Sequence, residues 1–419
     1  MPGNISESAI IITFLVVMIG GVAASEGMSA KLAGLVGGSV LPETVTSGDF
    51  NGDGRSDYAA VVRTGDFEMQ KLLITAGGPD NTQRVQLLEE AFTEPGAGGA
   101  LGVLPSLSWH ESILRTTETG GSSSGGWRYV FDLAFSGEGF AFSRSTIKRE
   151  NRNTGSFFKR ETDYETLLTT KTLKKNTTKD PARVKYYNLI SSKIAANAIT
   201  HDPVGSDAWS EAQPITLSAD CFIVFDKEHY GGNTDLSATV RTLWTRQALH
   251  FHVTVTDECA VFQPDETISV RHDHVEIWFD GGHEQEDYIP RSEPDSQLTT
   301  QMSFSPLEGS SDLVCYLLYP GEKQIHDARG TCTRLSNGYI IEVSVPSNYL
   351  PFVEEPFMFT QSVKYLNCTL IVSDSDNAAS PAQEAMLATS QFRWGSPFSM
   401  GKLLLFEKYS RPSFPDYGF

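Results

Sequence analysis

Residues 49–57 read DFNGDGRSD and bring four side-chain oxygens, on Asp49, Asn51, Asp53 and Asp57, to positions 1, 3, 5 and 9 of one loop. Hard oxygen donors at that spacing suit Ca²⁺, and the backbone carbonyl of Arg55 could complete the sphere. Gly52 and Gly54 permit the tight turn. An EF-hand would need a bidentate Glu at loop position 12, where Ala60 stands. Such a ligand set fixes a loop, so the expected ion is structural. Asp374 and Asp376 in IVSDSDN would suit either a second Ca²⁺ or a turn. His272, His274 and Glu276 share one strand face, and His250 and His252 share a face of an expected neighbour, a spacing that could chelate Zn or Cu. No zinc-protease helix or phosphate loop is present, and no catalytic residue is nominated.

These residues need strands to hold them. In LHFHVTVT, Leu249, Phe251, Val253 and Val255 alternate with His250, His252, Thr254 and Thr256. In VEIWFD, Val275, Ile277 and Phe279 point inward, leaving Glu276, Trp278 and Asp280 outward. YIIEVSVP adds Ile341, Val343 and Val345. Period-two alternation between turn signals predicts a sandwich in which each sheet buries one face. The expected fold is all-β: a small β-domain with a calcium loop over 43–196, then an antiparallel β-sandwich over 205–410, the break falling at NAITHDPVGSD. Residues 25–42 read as a Gly-rich linker. Trp209 and Trp244 are expected in the core. Residues 144–185 hold twelve Lys/Arg against five Asp/Glu, expected as solvated strand faces.

The chain carries 33 Lys+Arg and 52 Asp+Glu in 419 residues, a formal charge of −19. That balance disfavours nucleic acid as a partner, because phosphate neutralisation needs cations. Ala9–Ala24 is one apolar run, short for a spanning helix and suited to a signal-peptide core with cleavage after Ala24. The preceding MPGNISES has no Lys or Arg, so an uncleaved anchor is the alternative. Either exports the remainder to a secreted, periplasmic or cell-surface location; cleavage would leave no stable membrane insertion. None of the five cysteines, Cys221, Cys259, Cys315, Cys332 and Cys368, forms a C-x-x-C pair. Cys315 and Cys332 could cross-link a hairpin, or all could be buried thiols.

The stretch SGDFNGDGRSDYAAVV resembles a single FG-GAP/VCBS-type repeat, in which such a loop precedes a strand. In the second half, DAWSEAQPITL, TVRTLWTRQALHFHVTVTD, DHVEIWFD, NGYIIEVSVPSNYL, IVSDSDN and FRWGSPFSMGKLLL follow in order. Together they resemble family 9 carbohydrate-binding modules, which are β-sandwiches. In that family two tryptophans sandwich a terminal sugar and a strand glutamate bonds it. The resemblance carries over Glu276 for the glutamate and Trp394 for the C-terminal tryptophan. Val270 stands where the first tryptophan would be, no amide precedes the SDSD turn, and no arginine matches near Gln297–Gln301. Trp278 could substitute as a platform. The implied function is an exported, non-catalytic carbohydrate-binding protein with a poly- or oligosaccharide as partner. A glycoside hydrolase acting on polysaccharide would be the associated enzyme. The alternatives are a structural or adhesive calcium-binding protein, or a DOMON-like sandwich holding a metal or haem.

Overall fold

The computed structural model describes residues 28–406 except 36–37, 65–68, 78–82, 89–105, 111, 122, 136–139, 195–206, 219–221, 246, 268, 282–297, 351–364 and 394–395. The apolar run 9–24 lies outside these residues. No helix among them is long and apolar enough to cross a membrane. The chain divides into two units. One holds residues up to Tyr164 with Leu173–Asp180, and the other holds Glu165–Thr172 and Pro181–Tyr409.

In the first unit, Asp57–Thr64 pairs antiparallel with Met69–Gly77, which pairs with Gln83–Leu88. Ser39–Val40 and Thr46–Gly48 pair along the other edge of Asp57–Thr64. A second ladder runs in sequence order through Ser106–His110, Ile113–Gly121, Gly125–Phe135, Phe140–Asn151 and Ser156–Asp163. The expected linker is partly structured: residues 28–35 are helical, and Leu32 packs with Val40, Ala60, Val62 and Leu73. The abundance of small residues there masks the Met28–Leu32 pair, four apart, that lands on this core.

The second unit is the expected sandwich. One ladder runs Leu236–Trp244, Ala248–Asp257, Gly338–Pro346, Arg329–Leu335. The other runs Tyr365–Asp374, His274–Asp280, Thr299–Pro306, Leu313–Tyr319. Leu249, Phe251, Val253 and Val255 are buried, as are Val275, Ile277 and Phe279 and Ile341, Val343 and Val345. Phe251 and Phe279 meet with ring centroids 6.3 Å apart, so these apolar faces confront each other across the core. Ala182–Lys193 runs parallel to both Gly401–Phe406 and Leu236–Trp244, bridging the ladders. The sequence reading had grouped this strand with the first block; its partners lie some 50 and 210 residues later, beyond the reach of local patterning.

Two expectations change. All seven residues of His274–Asp280 are buried, including Glu276, Trp278 and Asp280 on the supposed outward face. Val224, Met386, Ala388, Phe392 and Met400 pack against Trp278 on that face. Cys259, Cys315, Cys332 and Cys368 are free thiols, so the Cys315–Cys332 cross-link does not form. Those two cysteines sit in different ladders, Cys315 opposite Phe304 and Cys332 opposite Ile341. Cys221 lies outside the described residues. Trp209 and Trp244 are core residues as expected: Trp209 packs with Ala212 and Leu243, and the Trp244 indole N–H donates to the Phe406 carbonyl at 2.9 Å.

Candidate functional site

Glu276 is only 5% exposed, and its carboxylate is already engaged from three sides. His274 Nε2 stands 3.1 Å from Oε1, while the Trp278 Nε1–H and the Gln301 amide donate to Oε2 at 3.1 and 3.0 Å. Burial by itself would raise this carboxyl. The hydrogen bonds from His274, Gln301 and Trp278 outweigh burial and hold it below the ordinary glutamate value. The glutamate therefore stays ionised in an apolar layer because protein donors replace water.

Trp278 is 1% exposed and packs with Ile371, Met386, Ala388 and Met400. Its ring lies 5.0 Å from that of Phe392, and Val224 packs beside it. An indole enclosed in this way presents no face to a sugar, so Trp278 is a wall residue rather than a platform in this conformation. Trp394 lies outside the described residues. Immediately before it, Phe392 and Arg393 line an open cleft of about 530 Å³ with Arg183, Val184, Phe222, Ile223, Val224, Lys227 and Gln391. Phe392 and Val224 belong to both the cleft lining and the Trp278 cluster. From the surface inward the order is thus cleft, Phe392 and Val224, Trp278, Glu276. Patterning could not find this cleft, because its lining comes from three segments spread over some 210 residues of sequence.

The histidine rows do not combine. His250 and His252 project from one ladder, His274 and Glu276 from the other, each on the side away from the shared core. His274 has both nitrogens engaged, Nδ1 on the His272 carbonyl at 2.6 Å and Nε2 on Glu276. His250 Nδ1 bonds Ser344 Oγ at 2.7 Å, and burial lowers this imidazole to about 4.

The oxygen-rich clusters differ from one another. In the 49–57 loop, Asp49 accepts from the Asp53 and Gly54 N–H groups at 2.9 and 2.8 Å, and Asp53 accepts from Arg55 N–H at 2.9 Å. Asp57 is fully buried and accepts from Phe50 N–H at 2.7 Å, while Asn51 Oδ1 accepts from Asp53 N–H at 3.0 Å. Gly52 and Gly54 take φ of +78° and +81°, the left-handed backbone the turn requires. Each carboxylate offers about four acceptor sites, so these bonds hold the turn without exhausting its oxygens.

The second cluster is tighter and deeper. Asp257, Asp374 and Asp376 each bring a carboxylate oxygen within 4.8 Å of the others. Asp273 lies alongside, its oxygens accepting from Val261 and Ser375 N–H groups at 2.5 and 2.8 Å. Both oxygens of Asp374 and Oδ2 of Asp257 are buried with no hydrogen-bond partner. Burial, then the charges of Asp257 and Asp376, push the Asp374 carboxyl up to about 8; burial, then Asp235, takes Asp376 to about 6. Burial and the charges of Asp257 and Asp374 also raise Asp273 well above the usual range. Buried carboxylates with orphaned oxygens are costly unless a cation joins them, and an all-oxygen donor set fits a hard divalent ion.

No curated protein matches the chain. Two solved structures of a family 9 carbohydrate-binding module from Caldicellulosiruptor kristjanssonii are similar to it. One is in complex with cellotriose: 14% identity, 54% of this chain and 98% of that one covered, TM-score 0.35. The other is in complex with glucose: 15% identity, 54% and 100% covered, TM-score 0.35. The family model described as carbohydrate family 9 binding domain-like matches residues 202–408.

Proposed function

We propose that this is an exported, non-catalytic protein that binds a poly- or oligosaccharide through the cleft of its second unit. The observation that carries the reading is the open cleft walled by Phe222 and Phe392, two residues within the span that the family model covers, the second of them two positions before Trp394. Aromatic faces there supply stacking surface for pyranose C–H faces. Trp394 is the proposed stacking platform. Glu276 acts from behind, fixing the Trp278 indole on which Phe392 rests. The test is binding of the full chain to a saccharide panel. Trp394→Ala should remove most affinity while leaving melting nearly unchanged; intact binding with a large loss of stability would refute its role.

Structural Ca²⁺ belongs to the same reading. The Asp257–Asp374–Asp376 cluster is the better supported seat, because its unpartnered oxygens call for a cation. The Asp49, Asn51, Asp53 and Asp57 loop is a second, more exposed seat, with side-chain oxygens at calcium-loop spacing.

A further inference from the structure

We infer that the cleft selects an anionic saccharide, one bearing carboxylate or sulfate groups, over a neutral one; this rests on the carbohydrate-binding reading above. The argument is the polarity of the lining. Arg183, Lys227 and Arg393 contribute three cations, and among the described residues no acidic side chain lines the cleft. In a chain of net charge −19, that concentration of one sign runs against composition. None of the three cations forms an ion pair among the described residues. The neighbouring acid Asp226 is instead paired with His229 at 2.9 Å. The side-chain oxygen of Gln391 is taken by the Lys185 N–H at 3.0 Å, leaving its amide hydrogens to donate. The Glu276 carboxylate, which could accept from sugar hydroxyls, is enclosed behind Trp278 and bonded to His274, Trp278 and Gln301.

The side chains facing the cleft therefore donate hydrogen bonds and hardly accept them. A neutral sugar presents hydroxyls, which both donate and accept, and would leave many of its own donors without side-chain acceptors. A uronate or sulfate ester presents acceptors carrying charge, which guanidinium groups match in planar, two-bond geometry. Phe222 and Phe392 then cover the apolar ring face, as in any sugar site.

The test is titration calorimetry of the full chain with trigalacturonate, a sulfated disaccharide, cellotriose and inorganic sulfate. At least one acidic saccharide should bind at least about tenfold tighter than cellotriose and weaken as salt is raised. Arg393→Gln, a change at an exposed side chain, should weaken that binding about tenfold or more without altering melting. The arm that binds distinguishes carboxylate from sulfate recognition. Equal or tighter cellotriose binding, unaffected by Arg393→Gln, would overturn the selectivity and leave sugar binding standing. Inorganic sulfate competing as well as the saccharides would reduce the cleft to a general anion site and overturn the proposal. Binding to no saccharide would remove both this inference and the reading beneath it.

Discussion

Asp374 is the residue on which the calcium proposal turns. Its two buried oxygens lack partners, and its carboxyl is pushed up to about 8 by burial and by Asp257 and Asp376. Asp374→Asn should thus do two opposite things: relieve repulsion in chelator-treated protein, and abolish the rise in melting temperature that Ca²⁺ gives the parent chain. Melting scans with calcium and with chelator check both, and identical curves for the parent in the two conditions would sink the calcium account. His250 carries a separate pH signature. Its folded value of about 4 lies below the ordinary 6.5 because the buried ring is poorly solvated. Between those values the unfolded chain binds more protons, so stability falls as pH drops through 6.5 towards 4, by up to about 3 kcal/mol. Urea unfolding at neutral pH and near pH 4.5 should show this loss, and His250→Asn should shrink it. Trp278→Ala should cost roughly 3–5 kcal/mol as a core cavity. That loss, read by urea unfolding, separates a wall residue from a platform, whose removal would leave stability intact.

At the level of elements, the alternation in LHFHVTVT and YIIEVSVP was legible because one face of each strand meets the core and the other is only partly covered. VEIWFD misled for a physical reason. Alternation tells which residues share a face, and Val275, Ile277 and Phe279 do face the core. It does not tell what covers the other face, and that cover comes from Val224, Met386, Phe392 and Met400, 50 to 120 residues away. The acids Asp257, Asp273, Asp374 and Asp376 were visible singly, at the ends of strands or in turns. Their convergence was not, because it depends on the pairing of His274 with Ser373 across two strands far apart in sequence. Turn geometry is sharper in one hairpin. Gly338 takes φ +135°, and a Cβ there would sit 2.1 Å from the Val255 carbonyl oxygen. Gly338→Ala should cost roughly 1–3 kcal/mol for the backbone alone and more for the clash. A variant melting like the parent would contradict the close approach of these strands.

For the molecule as a whole, the sequence indicated two blocks and a resemblance for the second, and the carbohydrate family 9 binding domain-like model matches residues 202–408. What patterning missed is the cleft. The glutamate and Trp278 that the sequence nominated form the wall, and the open surface belongs to Arg183, Phe222, Lys227, Phe392 and Arg393. A large negative charge overall and a cationic cleft in one unit are compatible, because recognition follows the local field at the cleft rather than the sum over the chain. The central claim is that this cleft holds a saccharide, and the most direct measurement is a glycan array probed with the full chain, parent beside Arg393→Gln. The account predicts selective binding by the parent that is lost or sharply reduced in the variant. Absence of glycan binding by the parent would contradict it, whereas binding that the substitution leaves untouched across the array would overturn only the anionic selectivity.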